Sequence, residues 1–264
     1  MELVDRVCVV TGGASGIGRA LCVRFSAEAA RAVIVVDRNA EGAVATADLI
    51  GQRAVPITAD VAVEADVRRV VERTEDEIGP IALFVSNAGL IDGQGIEASD
   101  DTWQALWSVN VMAHVYAARA VIPRMMQRGD GYLLNVASAA GLLSQPGDAP
   151  YSVTKHAAVG LAEWLAITYG DSGIKVSCLC PMAVATPMFH ADTGSAAPEA
   201  QAAAVQGVLS AEHVAHVVVD GLREERFLLL PHAEVATFEQ RRAADRDRWL
   251  AGMRRLASGP EHAG

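Results

Sequence analysis

Tyr151-Ser152-Val153-Thr154-Lys155 sets a phenol and an ammonium four residues apart in a stretch with helical patterning. Residues four apart share one helix face, so the ammonium can lie beside the phenol. A free phenol has a pKa of about 10, too high for a base near neutrality. A close cation favours the phenolate and lowers that value. Ser138, thirteen residues upstream, can hydrogen-bond the same substrate oxygen while charge develops on it. The three groups suit proton transfer at an oxygen atom. Lysine is also scarce, since only Lys155 and Lys175 among 22 basic side chains are lysines. A position that keeps lysine where arginine is the habit marks a need for a compact point charge.

A second constellation stands near the start. Thr11-Gly12-Gly13-Ala14-Ser15-Gly16-Ile17-Gly18 follows a β-branched run and opens a helical pattern, with GxxxGxG spacing. Gly12 permits a tight turn, Gly16 lets a pyrophosphate approach bare backbone, and Gly18 lets the helix pack close to the sheet. The helix N-terminus offers N–H groups and a positive dipole end to the phosphates. This context predicts dinucleotide binding. Asp37, nineteen residues beyond Gly18, can accept both adenosine ribose hydroxyls and repels a 2′-phosphate, which favours NAD over NADP. Arg38 is the counter-signal, because an arginine fork suits phosphate, and Ser15 sits where a basic residue would help hold one.

The elements that must position these groups alternate along the chain. Val7–Val10, Val33–Val36, Ala54–Ile57, Leu83–Val85, Tyr132–Val136, Lys175–Leu179 and Phe227–Leu230 read as strands. Their hydrophobicity is continuous rather than alternating, the pattern of strands covered on both faces of a parallel sheet. Ile17–Ala29, Ala65–Ile78, Thr102–Gln127 and Tyr151–Tyr169 read as helices between them. The expectation is a single α/β domain over residues 1–264: a doubly wound, mostly parallel, seven-stranded Rossmann-like sheet with helices on both faces. The long irregular stretch at about 183–207 follows a strand on the ligand side and is expected to be a substrate lid. An arginine-rich amphipathic helix at about 233–256, carrying Phe238, Trp249, Leu250, Met253 and Leu256, is expected to pack on the domain or on another subunit.

Composition narrows the classes. The chain has 264 residues, 51% of them hydrophobic, and a formal net charge of −10. Such a field repels polyphosphate backbones, so no nucleic-acid partner is expected. The four cysteines form no secreted disulfide framework in a chain this long, and Cys178 and Cys180 would point to one face of a strand. No cysteine or histidine grouping has zinc spacing, so no metal is expected. The first residues lack a basic start and an apolar run, and no uninterrupted apolar stretch approaches the roughly 20 residues that cross a bilayer. A soluble, cytoplasmic protein with no membrane partner is the expectation.

These motifs resemble the short-chain dehydrogenase/reductase family in its short form, over essentially Leu3 to about Leu230. The resemblance implies that Tyr151 is the general acid/base, that Lys155 also holds the nicotinamide ribose and that Ser138 orients the substrate. It adds Asn110, in Trp107-Ser108-Val109-Asn110, as support for a water-mediated proton relay. It places Asp60 and Val61 at the adenine. Asn87, Ala88 and Gly89 match a strand-end motif in which Ser86 replaces the usual first asparagine. Pro181-Met182 replaces a usual Pro-Gly beside the nicotinamide, and Val184 and Thr186 match positions that meet its carboxamide. The implied activity is hydride transfer between NAD and a secondary alcohol or ketone. Ala139–Pro150 and Ala183–Gly207 should line the substrate pocket and contain no lysine or arginine, which favours an uncharged, moderately hydrophobic substrate. The alternatives are an NADP-dependent 3-oxoacyl thioester reductase, a nucleotide-sugar epimerase or dehydratase, and a non-catalytic NAD-sensing or scaffold protein. Similar proteins are homo-oligomers, dimers or tetramers, that bury Thr102–Gln127 and Tyr151–Tyr169.

Overall fold

The structure, a computed structural model, describes residues 1–192 and 207–258. The apolar runs form strands β1 (Val7–Thr11), β2 (Ala32–Asp37), β3 (Ala54–Thr58), β4 (Ile81–Ser86), β5 (Gly131–Val136) and β6 (Ile174–Leu179). Two-residue strands follow: β7 (Val184–Ala185), β8 (Leu209–Ser210) and β9 (Leu228–Leu229). Seven strands make one parallel sheet in the order β3-β2-β1-β4-β5-β6-β9, as expected. Between them lie α1 (Gly16–Ala27), α2 (Ala40–Ile50), α3 (Glu64–Glu77), α4 (Asp100–Trp107), α5 (Ala113–Arg128), α6 (Ala140–Leu143), α7 (Ala149–Tyr169) and α8 (Pro187–Asp192). Helices Ala211–Arg223, Glu234–Ala244 and Arg246–Ala257 follow.

Successive strand residues face opposite sides, and both sides are apolar. Val7, Val9, Ile34, Val36 and Phe84 pack with α3, α5 and α7, while Cys8, Val10, Val33, Val35 and Val85 pack with α1 and the Ala211–Arg223 helix. All four cysteines are buried and free. From β1 the chain winds outward through β2 and β3, then crosses back to β4 on the other side of β1. That reversal opens a crevice at the carboxyl ends of β1 and β4, where such sheets bind ligands.

Two helical expectations are corrected. The run read as one helix over Thr102–Gln127 contains a π-turn at Ser108–Met112 between α4 and α5. The helix read over Ala233–Leu256 is two helices, broken at Asp245, which is extended (φ −150°, ψ 94°) and accepts a hydrogen bond from Arg248 N–H. A short acidic side chain competes for backbone donors and so starts a helix better than it continues one. The Asp100–Arg128 run is long enough to cross a membrane, with mean hydropathy 1.2 over its most apolar window, yet half of that window is buried inside the protein. It is a core helix. Of the stretch expected to be a lid, 193–206 lies outside the described residues; β7, near its start, pairs with β8, which lies just past its end.

Candidate active site

The chain turns after β1 at Gly12, whose φ of +67° is a region that side-chain-bearing residues rarely adopt. A Cβ on Gly18 would fall on the Gly12 carbonyl oxygen, so α1 can close on the turn only because residue 18 lacks one. Ser15 caps α1 without a side-chain hydrogen bond, which leaves first-turn N–H groups to a ligand. The loop is braced from behind. Gly13 N–H donates to Val36 O at 3.0 Å, Thr46 Oγ1 donates to Gly13 O at 2.9 Å, and Arg19 donates to both Ala14 O and Thr46 Oγ1.

Asp37 closes β2 with its carboxylate pinned: Ala14 N–H donates to Oδ2 at 3.0 Å and Asn39 N–H to Oδ1 at 2.9 Å. Arg38 beside it is exposed. Past β3, Asp60 Oδ1 accepts from Ala62 N–H at 2.9 Å, which shapes the turn that carries Val61. Asn87 ties two strand ends together, its Nδ2 donating to Thr11 O at 2.8 Å. Thr11 completes the tie, its hydroxyl accepting from Asn87 N–H (2.9 Å) and Ala88 N–H (3.2 Å) and donating to Val85 O (3.2 Å).

These elements enclose a cleft of about 330 Å³. Asp37, Arg38, Asp60 and Val61 line it at the β2–β3 side; Gly12, Ser15, Gly16, Ile17, Asn87, Ala88 and Gly89 line its middle; and Ser138, Tyr151, Lys155, Pro181, Val184 and Thr186 line it at the β5–β6 side. Gly18 and Asn110 are not part of the lining: Gly18 lies under the turn and Asn110 behind Leu90. Leu90, Val109, Met182 and Met188 add an apolar wall.

At the β5–β6 end, Lys155 is 3% exposed, and its Nζ donates to Val136 O at 3.1 Å and lies 5.6 Å from the Tyr151 ring centre. Burial pushes the Lys155 ammonium down to about 8, with Cys180 and Cys178 pulling weakly the other way. Those two thiols, one on β6 and one just past its end, lie on one side, sulfur to sulfur at 3.8 Å. Ser138 Oγ donates to Pro181 O at 3.5 Å and accepts from Ala140 N–H at 3.1 Å. Asn110 sits in the π-turn, fully buried. Its Oδ1 accepts from Leu90 N–H at 2.8 Å, and its Nδ2 donates to Leu90 O and Thr154 Oγ1, both at 3.0 Å. The amide is spent on holding the strand-end loop against α7, so any part it takes in a relay runs through its main chain. A π-turn here re-aims one residue of an otherwise regular helix, a use such turns often serve.

Three supporting residues escaped the reading of the sequence. Thr11 precedes the glycine loop and carries no chemical signature. Asp148 stands three residues before Tyr151 and is an N-cap, a signal present but unused; Tyr151 N–H donates to its Oδ1 and Gly93 N–H to its Oδ2, both at 2.9 Å. His232 lies far away in sequence, and only the fold brings it to Met182.

The floor of the cleft has the features a dinucleotide needs: a bare backbone turn, a helix N-terminus, a fixed carboxylate at one end and a buried cation at the other. A family model described as short chain dehydrogenase matches residues 6–196. The chain is 34% identical over 241 residues to a 1-deoxy-11-beta-hydroxypentalenate dehydrogenase of Streptomyces exfoliatus, covering 89% of this chain and 86% of that one. It is 34% identical over 185 residues to 3beta-hydroxysteroid dehydrogenase 2 of Eggerthella lenta, covering 68% and 71%. A solved short chain dehydrogenase/reductase from Burkholderia phymatum, in complex with NAD, superposes with a TM-score of 0.86 at 27% identity over 94% of this chain and 96% of that one.

Proposed function

The chain belongs to the short-chain dehydrogenase/reductase family, and from that premise we propose that Tyr151, Lys155 and Ser138 carry out its reaction with NAD as the preferred cofactor. The protein is an oxidoreductase that exchanges hydride between a nicotinamide cofactor and a secondary alcohol or ketone. The cofactor, when bound, supplies the hydride acceptor or donor. In the oxidising direction Tyr151 as phenolate takes the hydroxyl proton of the alcohol, and Ser138 Oγ holds the same oxygen. Lys155 favours the phenolate by its charge and holds the ribose. Asp37 binds the adenosine ribose, Asp60 and Val61 bracket the adenine, and the turn at Gly12–Gly18 takes the pyrophosphate. Val184 and Thr186 meet the carboxamide.

The observation that carries this reading is the placement of Lys155 Nζ beside the Tyr151 ring, both buried at the end of a cleft that begins at the glycine turn. Asp37 supports NAD, because its carboxylate is already fixed at the β2 end and would meet a 2′-phosphate with like charge. The apolar wall of the cleft and the absence of lysine and arginine from Ala139–Pro150 and Ala183–Gly207 favour an uncharged, moderately hydrophobic alcohol. A second subunit and a cytoplasmic location complete the reading.

The test combines binding and turnover. Fluorescence titration should give tighter binding of NADH than NADPH. In a panel of alcohols, an uncharged hydroxysteroid should be oxidised faster than the carboxylate-bearing hydroxypentalenate. Tyr151→Phe should lose turnover by at least about a hundredfold, the lower end of what a general base supplies, while NADH affinity changes little. A Tyr151→Phe enzyme that turns over normally removes the phenol from the mechanism.

A further inference from the structure

His232 is a buried titratable group that the proposed reaction does not use. It follows β9, is 3% exposed, and its Nδ1 accepts a hydrogen bond from Met182 N–H at 3.2 Å. Met182 lines the cleft, between Pro181 and Val184. The backbone on either side of this bond is pinned too: Ala139 N–H donates to Pro181 O at 2.8 Å, and Leu209 N–H donates to Ala183 O at 3.1 Å. Ser138 Oγ reaches the same Pro181 oxygen. Pro181, Met182 and Ala183 are thus fixed by three separate segments, and His232 supplies the only link on Met182 N–H among the described residues.

An amide donor that loses its acceptor in a poorly hydrated place costs free energy and frees the peptide plane to turn. To accept from Met182, His232 must carry a lone pair on Nδ1, so the ring is neutral with its proton on Nε2. Protonating Nδ1 would set one N–H against another. We propose that His232 is a positioning residue for the cofactor: its neutral Nδ1 holds the Met182 amide, and through it the Pro181–Val184 wall, in the shape that receives the nicotinamide end. Burial pushes the ring's pKa down, and His213 adds to this least of all. The backbone of Gly207 and Ala183 and the carboxylate of Glu234 favour the charged form less strongly, and the net direction is below the ordinary histidine value. The inference rests on the cleft being the dinucleotide site.

The test uses the full-length enzyme, His232→Leu and His232→Asn, with NADH affinity and cofactor KM measured from pH 5 to 8. The asparagine Oδ1 can stand where Nδ1 stands but does not titrate. His232→Leu should weaken NADH binding roughly five- to tenfold at pH 7.5, the size of one lost hydrogen bond, with the effect on KM rather than kcat. His232→Asn should keep wild-type affinity at pH 7.5 and lose the weakening that wild type shows as pH falls below the ordinary histidine range. Unchanged affinity in His232→Leu overturns the proposal, as does an asparagine variant that binds as poorly as the leucine variant. If the leucine variant fails to fold, the asparagine variant decides alone: a flattened acid limb supports the proposal and a wild-type acid limb overturns it. A wild-type enzyme that binds neither dinucleotide would instead sink the reading of the cleft, so the two failures are distinct.

Discussion

Burial leaves His114 neutral. Its Nδ1 pairs with Asn135 Oδ1 at 2.9 Å deep in the core, and burial, with the Lys155 charge behind it, pushes its pKa from 6.5 down to about 4. The unfolded chain takes up a proton near pH 6.5 that the folded chain refuses until about pH 4. Protonation therefore favours unfolding, and stability falls as pH drops through that window and levels off below it. One such group costs on the order of 3 kcal/mol across the window, at 1.36 kcal/mol per unit. Replacing the ring by a group that does not titrate, His114→Gln, should flatten the decline. Guanidinium unfolding at pH 4.5 and pH 7 should show a smaller difference in the variant than in wild type, and equal differences would remove His114 as the source. Residues like this explain what the sequence could and could not disclose. Tyr151 and Lys155 are legible because their partnership is local, four positions on one helix. The His114–Asn135 and His232–Met182 pairs join distant segments, and no spacing announces them.

At the scale of the element, α7 is the part whose construction matters most, since Tyr151 sits in its first turn. Asp148 begins the helix by accepting from Tyr151 N–H, and its other oxygen accepts from Gly93 N–H in the loop that leads from the cleft. The same carboxylate therefore sets the helix start, the phenol and the loop. Removing it in Asp148→Ala should cost about 0.5–2 kcal/mol of stability, the usual range for a lost cap, and lower kcat because the phenol loses its anchor. Asp148→Asn retains an acceptor oxygen for the cap but turns an amide donor toward Gly93 N–H, so it should recover only part of the stability. Thermal unfolding alongside kcat for both variants checks this; equal losses in the two would mean the cap oxygen is not what holds the turn. Strands were the most legible elements, because a run buried on both faces leaves an unbroken apolar signature, and β4 and β5 are buried throughout. Helix interiors were less so. The π-turn at Asn110 has no pattern of its own, and within it the Asn110 amide binds Leu90 and Thr154 at once. The break at Asp245 shows in the sequence as an aspartate inside an arginine-rich run, whereas the apolar periodicity continues across it.

At the scale of the whole molecule, an apolar seam on α7 is left uncovered among the described residues. On α7, Val153, Ala157, Gly160, Trp164 and Ile167 recur at intervals of four, three, four and three residues, the period of a helix that packs along its length against another helix. Ile167 is 84% exposed and Trp164 55% exposed, and a Cβ at Gly160 would meet nothing. The inner side of the same helix, with Ala158, Ala162 and Leu165, is already buried in the core, so the seam is a second, separate apolar stripe. Trp107, at the end of α4, is a further exposed aromatic. A stripe of this kind in water is characteristic of an association surface, and a two-fold axis would set it against its own copy. The homo-oligomer expected from the family resemblance is proposed to form here, with Gly160 letting two α7 backbones approach closely. Introducing a charge at the most exposed position of the seam, Ile167→Asp, sets a carboxylate against the apolar seam of the other copy and leaves it without a partner. Light scattering should give the 27.7 kDa monomer for the variant and a multiple of it for wild type at the same concentration. The monomer should also unfold at a lower temperature, because subunit binding stabilises the folded chain by mass action. A variant that keeps the wild-type mass would place the interface elsewhere, and the α7 seam would then stand as exposed surface in each subunit.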